Sequence, residues 1–185
     1  MQEEKQTSLR LKKGKERPIL QHHHWIYSGA IAEQSGDSLF AEIFSHSKEK
    51  LGLAMLNPGR SISGHMLAFG KDTLEEAIQA RIAKAIFLRK KLAKPDTNAI
   101  RLINAEGDGL PGLIVDSYNG VLVLQISHPA LDSIKATILE VLIKEFAPKA
   151  IYEKSTSFLR ETSLENKKTS RFSEVSSNFI KNGER

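Results

Sequence analysis

Apolar and polar positions change their period along this chain. Between residues 7 and 70 the runs SLRLKK, SLFAEIFSHS, KLGLAMLN and SISGHMLAF alternate with a period near two, which predicts four short strands. Asn57-Pro58-Gly59 is a turn signal, and Ser45 to Lys50 is a hairpin connection between the two strands beside it. These signals predict a small β-rich module over about residues 7–70, preceded by a polar arm. From residue 72 the period lengthens to 3.6. Leu74, Ala77, Ile78, Ala85, Leu88 and Leu92 share one helical face, Asp72 and Glu75 fit a capping box, and Pro95 stops the helix after about Ala93. Lys84, Lys90, Lys91 and Lys94 fall on the opposite arc and read as a solvated face.

The second half opens with IRLINAEGDGLPGLIVDSYNGVLVLQIS, in which two β-rich runs flank a turn at Asn119-Gly120. Leu131 to Phe146 is amphipathic and predicts a helix, and AIYEK returns to strand, giving the order strand, strand, helix, strand. Residues 157–171 are polar and read as a loop; RFSEVSS and NFIKNG then suggest a closing hairpin. The expected fold class is α+β, with a first domain over 1–70 and a second over 96–185. The connecting helix, 71–95, is assigned to the second domain.

Composition narrows the functions. With 40% apolar and 26% charged residues the chain can build a packed core. No apolar run approaches the ~20 residues of a membrane span, and the N-terminus lacks a signal-like apolar segment, so the expectation is a cytoplasmic protein without membrane contact. There is no cysteine, which excludes disulfides, thiolate metal sites and a thiol nucleophile from these residues. The net charge of +5 is uneven: residues 1–95 hold sixteen Lys/Arg against ten Asp/Glu, and 96–185 hold eleven against twelve. The basic front half is the side expected to meet a polyanion.

Candidate chemistry is sparse. Gly107, Gly109 and Gly112 crowd one turn, but EGDGLPG runs into a strand and lacks the spacing, Lys-Ser/Thr pair or following helix of a nucleotide loop. Those glycines read as turn residues at positive φ, and Glu106, Asp108 and Asp116 as capping or solvated carboxylates rather than acid/base partners. His22, His23 and His24 are adjacent and cannot all face one ligand, so no metal site is expected. For His23 and Trp25 two readings stay open: a structural corner with Trp25 as its anchor, or a surface that presents histidine and lysine to RNA.

LKKGKERPILQHHHWIYSGAI, residues 11–31, resembles the opening of the PUA domain in the ribosomal large-subunit cytosine-C5 methyltransferase family, which typically reads KGRExxLxxxHPWVFSGAI. Lys13, Gly14, Lys15 and Glu16 occupy its first segment and His23, Trp25, Ser28 and Gly29 its later positions, with His24 where the family has proline. RLINAEGDGLPGLIVDSYNGVLVLQ, residues 101–125, is similar to the family's ExDGLPGLxVD signature, and IYEKSTSFLRE resembles the segment after it. The resemblance implies a small β-barrel-like PUA domain, a small α/β central domain, and a Rossmann-like S-adenosylmethionine domain that these 185 residues lack. It further implies large-subunit ribosomal RNA as partner, S-adenosylmethionine as cofactor of the full-length family but none bound by this chain, and a homodimer. RNA contacts are expected at Lys13, Lys15, Arg17, His23 and His24. No catalytic residue is expected here, because C5 methylation needs a cysteine thiolate to add to the ring. The competing expectation is a free-standing PUA-type RNA-binding protein with no enzymatic activity.

Overall fold

The structure, a computed structural model, describes residues 7–155 and 173–174. The chain divides into two compact units, Met1–Ile78 and Gln79–Arg185. No helix of the described residues is long and apolar enough to cross a membrane.

The first unit holds β1 (Ser8–Leu11), α1 (Arg17–Leu20), β2 (Trp25–Tyr27), β3 (Ile31–Ser35), β4 (Phe40–Phe44), β5 (Lys50–Leu56) and β6 (Ile62–Phe69). They form one sheet in the order β2-β6-β5-β4-β1-β3, antiparallel except for the β1/β4 pair. The two edge strands β2 and β3 are consecutive in sequence, joined only by a 3₁₀ turn at Ser28–Ala30. Laid flat, five strand spacings would part them by about 24 Å. The four steps along the chain from Tyr27 to Ile31 reach about 14 Å at most, so the sheet must curl into a half-barrel. Register shifts in four of its strand pairs supply the bending. Gly52 lies at one of them: at φ +151° its α-carbon passes so close to the Ala68 carbonyl that a Cβ has no room.

Inside the curl, Leu9, Leu11, Ile19, Ile26, Ile43, Ala54 and Met66 form the core. A smaller cluster, Leu53, Ala68 and Ala77, packs with Leu74 and Phe40 and brings in the start of α2 (Leu74–Leu92). β5 is therefore buried at nearly every position rather than at alternate ones.

The boundary between the units falls within α2, after Ile78. Its cap sits one residue later than expected: the Thr73 amide and hydroxyl both donate to Glu76 at 2.8 Å, and the Glu76 amide donates back to the Thr73 hydroxyl. Asp72 and Glu75 take no part in that box. The buried stripe also differs from expectation. It runs through Ile78, Ile82, Ala85 and Ile86, whose next position at i+3/i+4 is Arg89, so Leu88 and Leu92 lie off the stripe and are exposed with Phe87.

The second unit adds β7 (Ala99–Asn104), β8 (Leu113–Tyr118), β9 (Val121–Ile126), α3 (Pro129–Ser133), α4 (Lys135–Phe146), β10 (Ala150–Glu153) and β11 (Ser173–Glu174). Their sheet order is β11-β10-β9-β8-β7. β7, β8 and β9 are antiparallel, and β10 returns parallel to β9 after the helices. Leu113 and Val115 of β8 are buried opposite Ile126 and Leu124 of β9, Leu122 is buried two residues on, and Ile138, Val141 and Leu142 of α4 are likewise buried. The single helix expected over 131–146 is two: it begins at Pro129, where the His128 ring accepts the Ala130 amide, and breaks at Ile134. The polar stretch 157–171, the run NFIKNG and most of RFSEVSS lie outside the described residues.

Candidate nucleic-acid interface

The basic run and the aromatic run of the first unit are two arms of one closed loop. After β1, the Lys12 amide donates to the Ala30 carbonyl at 2.8 Å and its ammonium to Gly29 O at 3.0 Å. At the far end the His23 amide donates to Pro18 O at 2.9 Å. Lys13, Gly14 and Lys15 form the turn between these ties, with Gly14 at φ +80°, and Arg17 opens α1. The returning arm carries His23, His24, Trp25 and Tyr27 to the Ser28 amide, which donates to Ser61 O beside the turn bearing Arg60.

Lys13, Lys15 and Arg17 are exposed, and among the described residues no salt bridge engages them. The neighbouring cation Arg10 behaves differently. It pairs with Glu33 at 2.6 Å, and the bond from its guanidinium holds the Glu33 carboxyl below the ordinary carboxylate range. The outward positive field of this edge thus comes from the turn and the first residue of α1.

The histidines divide their roles. His22 stacks on Phe69 at 4.6 Å and takes φ +62°. His24 donates from Nδ1 to Met66 O at 3.1 Å and sets its ring edge-on to Phe69, so it holds the strand in place. His23 accepts the Trp25 amide at 3.1 Å and lies edge-to-face with the Trp25 ring at 5.8 Å. Trp25 is not the corner's anchor: it is 40% exposed, whereas Ile26 beside it is 1% exposed and occupies the core. Tyr27, which the sequence pattern did not single out, is 49% exposed and packs against Trp25. In a three-residue strand with Ile26 buried, Trp25 and Tyr27 turn outward together, but three residues are too few to show that period in the sequence.

The conspicuous motif of the second unit has a different fate. Asp108 receives both guanidinium nitrogens of Arg89 at 2.7 Å and accepts the Asn104 amide at 2.7 Å. Gly109 (φ +71°) and Gly112 (φ +85°) take the left-handed conformations expected of them, whereas Gly107, expected to do the same, does not. The Arg81 guanidinium lies where a Cβ at Gly109 would be, and burial pushes its pKa down from the ordinary value. Asp116 pairs with Arg101 at 2.8 Å. Within the turn, Asp108 is thus engaged by Arg89 and the Gly109 backbone lies against Arg81, while Glu106 is exposed.

Residues 9–69 match the family model of a PUA-like domain. The chain is 32% identical over 159 residues to the ribosomal RNA large subunit methyltransferase I of Enterobacter sp. (strain 638), a match covering 83% of this chain and 40% of that protein. Against the protein of the same name from Shewanella frigidimarina (strain NCIMB 400), identity is 34% over 156 residues, covering 80% and 39%. A solved structure from Streptococcus mutans, provisionally described as a SAM-dependent methyltransferase, superposes with a TM-score of 0.68 at 19% identity, over 80% of this chain and 40% of that one. The chain therefore carries a PUA-like domain and is homologous to these methyltransferases, and it spans about 40% of their length.

Proposed function

We propose that these residues are the RNA-binding, substrate-recognition portion of a cytoplasmic S-adenosylmethionine-dependent methyltransferase acting on cytosine C5 of 23S ribosomal RNA. The observation that carries the reading is the closed loop of the first unit, whose Lys13, Lys15 and Arg17 face outward with no salt bridge among the described residues. Cations free of internal partners suit phosphate contacts, which position an RNA without reading its sequence. Homology to methyltransferases named for large-subunit ribosomal RNA supplies the substrate class. The absence of cysteine argues that methyl transfer is performed by residues other than these.

Two titrations of the 185-residue chain test this. Affinity for a structured fragment of 23S ribosomal RNA should fall steeply with salt, each phosphate contact adding roughly 0.7–0.9 to the log–log slope. Calorimetry with S-adenosylmethionine should show no saturable micromolar binding. A flat salt dependence would remove the phosphate-dominated interface, and saturable binding would place the cosubstrate site in this chain.

A further inference from the structure

The geometry points to a stacking platform for unpaired bases on β2, formed by Trp25 and Tyr27 with His23 at its end. The inference rests on the RNA-binding proposal and specifies the kind of RNA.

β2 is an edge strand, paired only with β6, and its burial pattern is exposed, buried, exposed. Ile26 anchors the strand, so Trp25 and Tyr27 contribute little to the core while presenting large rings to solvent. The rings form a ladder at every second residue. His23 meets Trp25 at 89° with centroids 5.8 Å apart, and Trp25 meets Tyr27 at 83° and 6.5 Å. An edge-to-face contact covers one face of one ring. These two contacts therefore leave at least four of the six ring faces uncovered by the ladder itself.

An open aromatic face within a basic loop suits nucleobases, since every base has a π-face and its phosphate needs a cation nearby. The cations Lys13, Lys15 and Arg17 occupy the other arm of the same loop. Duplex RNA keeps its bases stacked on one another and can offer this surface only phosphates and sugars. The platform therefore selects single-stranded loops, bulges or splayed bases, and the cations alone do not.

Trp25 is the only tryptophan of the chain, so its fluorescence reports on this site directly. The probes are a 12-nucleotide single-stranded RNA and the blunt duplex formed with its complement. The expected result is quenching of Trp25 by the single strand and not by the duplex. Trp25→Ala should weaken single-strand binding by about fivefold or more while leaving duplex affinity and salt slope unchanged. Trp25→Phe should retain most of the affinity. A cooperative melting transition well above the assay temperature shows that each variant is folded. Salt-dependent binding of both RNAs without quenching, or equal weakening of both by Trp25→Ala, overturns the platform and leaves the RNA-binding proposal standing. Failure of the wild-type chain to bind either RNA overturns both.

Discussion

The loop of residues 12–30 in the first unit and the turn of residues 104–112 in the second are the two segments most conspicuous in the sequence, and they use their charge in opposite ways. In the turn, Asp108 is held by two bonds from Arg89 and one from the Asn104 amide, and Arg81 lies against Gly109. In the loop, hydrogen bonds among backbone atoms and Lys12 close the ring, while Lys13, Lys15, Arg17, Trp25 and Tyr27 face solvent. A motif whose polar groups satisfy one another builds structure. One whose cations form no salt bridge among the described residues and whose rings face solvent is equipped to bind.

The contrast breaks most visibly at Asp108. Asp108→Ala leaves the largely buried Arg89 guanidinium and the Asn104 amide without their acceptor, so urea denaturation should show a loss of about 3–5 kcal/mol. RNA affinity measured below the melting transition should not change. A loss under about 1 kcal/mol would mean that the turn is held by something other than this pair.

A smaller effect sharpens the comparison inside the loop. Ile26→Ala removes a side chain that is 1% exposed and should cost about 2–4 kcal/mol. Trp25→Ala, one residue away, should cost less than Ile26→Ala despite the larger side chain removed, because the ring is 40% exposed and its loss leaves no enclosed cavity. Equal losses would restore Trp25 as the corner's anchor.

These cases show how far the sequence could be read. The four strands expected between residues 7 and 70 are all present, β1 and β4 with alternate positions buried and β5 buried at nearly every one, and Asn119-Gly120 joins β8 to β9 with both residues at positive φ. β2 and β3 escaped because three residues, and an edge strand with four exposed positions, carry no usable period. The α2 stripe was misplaced toward Leu88 and Leu92 because hydrophobicity alone cannot foresee that an arginine paired to Asp108 occupies the buried line. The candidate site was legible as a cluster of residue types near Lys13 and Trp25. Which of them turn outward was not, since that depends on Ile26 filling the core and on His24 bonding to the Met66 carbonyl from a strand forty-two residues away.

The claim that the loop's outward cations grip RNA is tested most directly by the salt dependence of RNA affinity in the 185-residue chain and in its Lys15→Ala/Arg17→Ala variant. The account predicts that the double substitution weakens binding by about 1–3 kcal/mol, lowers the log–log slope by about two contacts, and leaves the melting curve unchanged. A control with Lys91→Ala at the exposed end of α2 and Lys94→Ala just beyond it should alter affinity little. If the control weakens binding as much as the loop pair, or if the loop pair leaves the slope unchanged, the RNA site is not this loop.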